Sequence, residues 1–390
     1  MRTLNLWLLP FFGDFRIDMS FAYWFWLGAV ALLVAGEIVF RLILDKVEQI
    51  SKRVKQKSFQ NSVLLESVNS DPNMTQDDLK QLAIEYDEHV KRCVALYGNW
   101  SSAIKSEDSI HMPDYKGQFL NVRNGLRVTT NHPEQIKQNL FVFGASTVFC
   151  GEVADNFTLC SQLQVVINKN NYSTAVINFG RHGSTFRNRL LFLERCNLVE
   201  GDLVLFWFGV NESGWKFLEG KTNVPLLINL LRRISDGLKS LSNYLALLEL
   251  VSKIFEFLVF QPFCKRYAYF ETQQCLSNLE KLSQVKGFRY KVILQPNLLT
   301  KLHRTPREDL ILEFFLSRVK GRIMQRLLNS NYPRFRVLIS RFDGFDASGS
   351  FKQTDREVFV DWVHLNSEGN RTMAEVIFGC FDDIRAFEPR

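Results

Sequence analysis

The sequence predicts an α/β fold of three layers, a mainly parallel sheet covered by helices on both faces. From about residue 138, short and almost wholly apolar runs recur: LFVFGAS (140–146), STAVINFG (173–180), DLVLFWFGV (202–210) and YKVILQP (290–296), with RFRVLIS (334–340) as a fifth candidate. Runs without the polar alternation of a half-exposed strand suit parallel strands buried on both faces. The intervals between them are long enough for the crossover helices that parallel pairing requires. Ligands of such sheets collect at the carboxyl ends of the strands, and the residues with chemical potential fall there.

The elements before the sheet read differently. After a short N-terminal segment (1–20), the stretch FAYWFWLGAVALLVAG from Phe21 to Gly36 carries no charge, and apolar residues continue past Glu37 and Arg41. Residues 21–44 are therefore expected to form one transmembrane helix, because about 20 apolar residues cross the hydrocarbon core. Tyr23, Trp24 and Trp26 cluster at its start, where amphipathic rings favour the membrane interface. Glu37 is tolerable near the headgroups. A buried soluble helix and a cleaved signal peptide are the competing readings. Against the second, Arg2 and Arg16 are balanced by Asp14 and Asp18, and the apolar run exceeds a signal-peptide core. Arg41, Lys46, Lys52, Arg53, Lys55 and Lys57 follow the span, so the positive-inside rule puts the body of a single-pass protein in the cytoplasm. A periplasmic or extracellular body is the alternative, since anchors with so short an upstream tail often break that rule.

Residues 45–137 read as a juxtamembrane helical spacer and linker. DDLKQLAIEYDEHVKRCVALYG is an amphipathic helix that starts near Thr75, Asp77 and Asp78. A turn-rich stretch, MPDYKGQFLNVRNGLRVTTNHPEQ, follows it. Within the domain at 138–390 an insertion at about 222–263 is strongly apolar. Its charges Glu249, Lys253 and Glu256 lie three or four apart, which fits an amphipathic helix better than a second span. Its bland role is packing; its sharper one is a cap over the site or a face resting on the bilayer.

Composition excludes some classes. With 46% apolar and 13% aromatic residues the chain buries a full core, which rules out disorder along its whole length. The net charge of +7 comes without zinc-finger spacing, an RNA-binding signature or a long basic tract, so nucleic acid is not the expected partner. The seven cysteines are odd in number and scattered, without a CxxC pair or a Cys/His cluster of metal-ligand spacing. They read as free thiols of a reducing compartment.

Four loops carry a coherent chemistry. GAST (144–147) ends the first strand, and a serine at a strand-to-helix turn has an exposed hydroxyl beside helix amides. NFGRHGST (178–185) closes the second strand with glycines, where a backbone amide can approach a developing oxyanion. FGVNES (208–213) offers the side-chain amide of Asn211 for the same purpose. In FVDWVHLNSEGN (359–370), Asp361 and His364 stand three apart, a spacing that puts both on one face of a turn. His364 can then deprotonate Ser146 while Asp361 fixes the imidazole tautomer. Singly, each has a bland reading: a surface ion pair, turn glycines at Gly180 and Gly183, an Asx turn at Asn211. Their joint order at successive strand ends sets them apart.

These blocks resemble those of the SGNH (GDSL-like) hydrolases, and FGASTVFCGE, LQP and VHLNSEGN resemble membrane-anchored bacterial members. The resemblance spans about residues 138–390 and implies a flavodoxin-like sheet. It also implies Ser146 as nucleophile, Asp361 and His364 as its partners, and an oxyanion hole of the Ser146 amide, Gly183 and Asn211. Two departures stand out. Ala145 replaces the usual aspartate before the serine, and Glu212 replaces the aspartate that usually follows the asparagine.

The expected function is a membrane-anchored serine esterase or O-acyltransferase working through an acyl-enzyme on Ser146. Its expected substrate is an acylated glycan, another envelope component or an acylated small molecule, with the bilayer as partner through residues 21–44. No metal or organic cofactor is implied, and the oligomeric state is open. The alternative is a catalytically altered binding or scaffolding module at the membrane, for which only Ala145 and Glu212 speak. Of the remaining histidines, His89 on the spacer helix and His111, His132 and His303 in polar loops are expected to be solvated. His182 either touches substrate or sits at a cap or surface. Arg181 and Arg187 are expected to be solvated or to meet an anionic or sugar substrate.

Overall fold

The structure, a computed structural model, describes residues 71, 73–97, 112–215 and 261–381. The expected span at 21–44, its flank up to residue 70 and nearly all of the 222–263 insertion lie outside the described residues. Among the described residues no helix is long and apolar enough to cross a membrane.

In chain order the principal elements are α1 (Gln76–Tyr97), β1 (Tyr115–Lys116), β2 (Asn121–Arg123), β3 (Leu126–Arg127), β4 (Gln138–Gly144) and the single turn α2 (Ser146–Phe149). There follow α3 (Leu159–Lys169), β5 (Thr174–Gly180), α4 (Phe186–Arg195) and β6 (Leu203–Phe208). The chain continues through α5 (Gln261–Lys286), β7 (Arg289–Leu294), α6 (Pro306–Ser317), α7 (Val319–Ile339), β8 (Gly344–Asp346) and α8 (Ser367–Cys380). One sheet of eight strands has the order β1-β2-β3-β5-β4-β6-β7-β8. Strands β5, β4, β6, β7 and β8 run parallel, and β1 to β3 add an antiparallel edge beside β5.

Strand periodicity sorts the apolar side chains into two layers. Phe143, Phe179, Phe206, Phe208 and Leu294 face a cluster with residues of α4, α5 and α7. Leu140, Val142, Val176, Leu205, Trp207 and Ile293 face another with α3 and α8. All six residues of β6 are buried, which is why LVLFWF shows no polar alternation. On α3, Leu159, Leu163 and Ile167 recur every fourth residue and are fully buried. Thr158 caps that helix by accepting the Ser161 amide hydrogen.

Two expectations are corrected. RFRVLIS (334–340) is no strand: residues 334–339 close α7, and Ser340 is its C-cap. Phe335, Leu338 and Ile339 are buried while Arg334, Arg336 and Val337 are exposed, so the period is helical and outweighs the β-propensity of the run. The fifth parallel strand is the three-residue β8 instead. The turn-rich stretch after α1 is not merely a linker either, because β1 to β3 extend the sheet ahead of residue 138. Strands of two or three residues are too short to show a period.

α1 joins this edge to the core. The Glu85 carboxylate accepts the amide hydrogens of Gln118, Phe119 and Leu120 at 2.8–2.9 Å. Leu82, Leu120, Val122 and Phe149 share a cluster. Gly180, which ends β5, lies against α2. A Cβ there would stand 2.1 Å from the Phe149 nitrogen and 2.5 Å from the Val148 carbonyl carbon. Both are backbone atoms, so no rotamer change relieves the clash. Gly180→Ala is expected to lower the free energy of unfolding by about 3 kcal/mol, read from urea denaturation; unchanged stability would contradict this close approach.

Candidate active site

Ser146 begins α2 immediately after β4, and β4 is flanked by β5 on one side and β6 on the other. The chain therefore reverses its direction of sheet growth at β4, and the crevice of such a switch point opens above Ser146. Ala145 is buried, and its carbonyl accepts the amide hydrogens of Val148 and Phe149, both at 3.1 Å. The turn is thus closed by backbone, and an aspartate at 145 is not needed to hold it.

His364 Nε2 lies 2.8 Å from Ser146 Oγ, and His364 Nδ1 lies 2.7 Å from Asp361 Oδ2. A carboxylate only accepts, so in the base form of the ring Nδ1 carries the hydrogen and Nε2 is left to accept from the serine hydroxyl. The other oxygen of Asp361 accepts the amide hydrogens of Val363 and His364, each at 2.7 Å. The three-residue spacing thus forms a turn whose first carboxylate orients both the backbone and the ring.

Glu152 brings a second carboxylate, with Oε1 3.5 Å from His364 Nδ1. Burial pulls the His364 imidazolium down, but the charges of Asp361 and Glu152 and the Asp361 hydrogen bond outweigh it and raise it to about 9. Burial also pushes the Asp361 carboxyl up, yet the imidazolium and the amide hydrogens prevail and hold it below its ordinary value. Glu152 is raised, chiefly by burial and also by Asp361, against the opposing pull of His364 and Arg127.

The other two loops are bound to the serine loop through Ser184. Its hydroxyl donates to the Gly144 carbonyl at 3.0 Å, and its carbonyl accepts from Asn211 Nδ2 and Arg189 Nη2, both at 2.9 Å. Gly183, just before it, has φ +66°, a left-handed conformation open to glycine without a Cβ penalty. Asn211 spends one amide hydrogen on Ser184 and has a second for a ligand. Glu212 is buried, and its carboxylate accepts from the Phe186 amide at 2.9 Å and the Gly209 amide at 2.8 Å. It also pairs with the buried Arg189 at 2.8 Å. Glutamate therefore fits this position and ties the asparagine loop to the start of α4.

Three histidine and arginine expectations change. His89 is fully buried, stacked on Phe149 with ring centroids 5.6 Å apart, and burial together with Arg127 brings it down to about 4. His182 is buried too, with Nδ1 3.2 Å from the Tyr86 hydroxyl, and desolvation holds it well below its ordinary value. Arg181 is buried with its guanidinium 4.6 Å from the centre of the Phe192 ring. The local sequence misses these because α1 covers the site from far upstream. His132 is exposed, with Nε2 3.0 Å from the Val176 carbonyl oxygen, as are His303 and Arg187, and His111 lies outside the described residues. None of the seven cysteines forms a disulfide.

Sequence reasoning also missed Glu152, Ser184, Tyr86 and Asp71. Asp71 accepts the Ser367 amide and hydroxyl hydrogens at 3.0 and 2.6 Å, and so caps α8 just after His364. A cavity of about 340 Å³ opens beside Asp361, walled by Ile311, Phe314, Phe315 and Trp362, with Arg318 and Lys320 at its rim. The Phe315 and Trp362 rings stack in it at 4.2 Å.

A serine, a histidine and a carboxylate in hydrogen-bonded sequence at the switch point of a parallel sheet form the arrangement of a serine hydrolase. Residues 140–377 match the family described as GDSL-like Lipase/Acylhydrolase, and the chain belongs to it, as an SGNH enzyme of the ester-hydrolysing class. Among solved structures it is similar to a lipolytic G-D-S-L family protein from Veillonella parvula, with 14% identity, 63% of this chain and 98% of that one covered, and a TM-score of 0.36. It is also similar to a carbohydrate acetylesterase family member from Sinorhizobium meliloti, with 15% identity, 64% and 100% covered, and a TM-score of 0.36. An acetylxylan esterase from Geobacillus stearothermophilus shares 11% identity over 64% of this chain and 95% of its own, with a TM-score of 0.35. No curated protein matches the chain.

Proposed function

We propose that the protein is a membrane-anchored serine esterase or O-acyltransferase that works through an acyl-enzyme on Ser146. The observation that carries this reading is the unbroken chain from Ser146 Oγ through His364 to Asp361. His364 Nε2 takes the hydroxyl proton as Oγ attacks the ester carbonyl, and Asp361 balances the imidazolium that forms. The Ser146 and Gly183 amides and the second Asn211 amide hydrogen face the oxyanion. The imidazolium then gives its proton to the departing alcohol. Water or an acceptor hydroxyl next attacks the acyl-enzyme, with His364 again as base, and Ser146 is released. The aromatic cavity beside Asp361 suits the alcohol portion or acceptor of such an ester.

An acylated glycan or other envelope component is the substrate we favour, because an anchor at 21–44 would hold the site beside such material. A purely scaffolding role gains nothing from Glu212, whose carboxylate is fully engaged in holding the asparagine loop.

The test is turnover of p-nitrophenyl acetate with and without an acetylated or free oligosaccharide. A burst of nitrophenol followed by slower turnover is expected, and an acyl-glycan product identifies transfer. A well-folded protein without a burst across several acyl lengths would contradict the reading. The base form of His364 is the reactive one, so kcat/KM is expected to rise tenfold per pH unit below about pH 9 and to level off above it. A plateau already reached at pH 6 would contradict the electrostatics of the site.

A further inference from the structure

We propose that Glu152 is a second carboxylate partner of His364, one that positions the imidazole alongside Asp361 and retains it when Asp361 is neutralised. This rests on the reading of Ser146 and His364 as the reacting pair. Both carboxylates address the same ring nitrogen, Asp361 from 2.7 Å and Glu152 from 3.5 Å. They reach it from separate elements, Asp361 from the turn before α8 and Glu152 from the loop that follows α2. That loop is closely packed. Cys150 closes α2 at φ 54°, and a Cβ on Gly151 would stand 2.4 Å from Tyr86 Cε2, so Tyr86 packs directly over it.

The two carboxylates differ in shielding. Asp361 has a side chain 43% exposed, whereas that of Glu152 is 19% exposed. Among the described residues His364 is the only cationic side chain within ion-pair distance of Glu152. Arg127, whose guanidinium also acts on it, already pairs with Asp155 at 2.8 Å. A shielded carboxylate without a Lys or Arg partner is costly unless a charge stands beside it, and the His364 imidazolium, present below about pH 9 and formed again in the acylation step, is that charge. The remaining groups around the ring do not compete. His182, in the loop after β5, is kept neutral by burial, as is the phenol of Tyr86 on α1. His89, also on α1, is buried against the Phe149 ring and neutral above about pH 4.

In a triad with one carboxylate, replacing the aspartate by asparagine presents the wrong tautomer and costs about 10⁴-fold in kcat. Here Glu152 remains to accept the Nδ1 hydrogen, so Asp361→Asn is expected to cost only about 10²-fold. Adding Glu152→Gln to it is expected to cost about a further 100-fold, the remainder of that 10⁴-fold.

The deciding experiment is an NMR titration of the His364 ring in Ser146→Ala protein, with and without the isosteric Glu152→Gln. It reads the imidazole directly and needs no turnover, so a failure of the esterase reading leaves its result intact. Removing the Glu152 charge is expected to lower the His364 midpoint by about one pH unit. A midpoint that does not move would overturn the proposal, as would an Asp361→Asn enzyme no more active than His364→Ala. Absence of fluorophosphonate labelling at Ser146 of the wild-type protein, with the titration shift present, would instead sink the esterase reading alone.

Discussion

His364→Ala is expected to lower kcat/KM on an activated ester by about 10⁴-fold or more, with the protein still folded. Ser146 keeps its hydroxyl proton without a base at 2.8 Å, and no other described side chain donates or accepts at that oxygen. Among the described histidines, His182 makes its hydrogen bond to Tyr86 and His89 is enclosed around Phe149, so neither replaces the lost imidazole. The residual rate would come from the amides around the oxyanion. The ring is close to the surface of the crevice, 16% exposed, and packs no large part of either core cluster. Thermal unfolding is therefore expected to stay within a few degrees of wild type. A loss below tenfold would show that another group deprotonates the serine.

Glu212→Ala carries the largest expected effect on stability. The carboxylate offsets the buried charge of Arg189 and accepts two amide hydrogens from different loops. Removing one partner of a buried pair leaves the other uncompensated, at about 3–5 kcal/mol. For a domain of this size that corresponds to a fall in Tm of about 10 °C. Activity is expected to fall as well, by about 10²-fold, because Asn211 is adjacent and its loop loses the Gly209 tether. Removing both charges, with Arg189→Met and Glu212→Gln together, should recover part of the stability. A Glu212→Ala protein as stable as wild type would refute the role of this pair.

The parallel sheet was legible because its strands are apolar on both faces. LFVFGAS, STAVINFG, DLVLFWFGV and YKVILQP became β4, β5, β6 and β7. RFRVLIS misled because its β-branched and aromatic residues say nothing of period until the buried positions 335, 338 and 339 are known. β8 and β1 to β3 were hidden by their length, being edge pieces whose stability comes from neighbours. The loops of Ser146, Gly183, Asn211 and His364 were visible as motifs at strand ends, since short fixed spacings encode turns. Glu152, Ser184 and Tyr86 were not, because tertiary packing alone brings them to the site. Tyr86 in particular arrives from α1, which reads in isolation as a solvated amphipathic helix. The same packing removed His89 from water against the expectation of its polar surroundings.

The measurement that bears most directly on the central claim is the intact mass of the protein after exposure to a fluorophosphonate, followed by peptide mapping. A single adduct on the peptide containing Ser146 is expected, formed faster as pH rises toward 9 and absent from Ser146→Ala. Equal labelling of that variant, or no adduct on a folded protein at pH 9, would contradict the assignment of Ser146 as nucleophile.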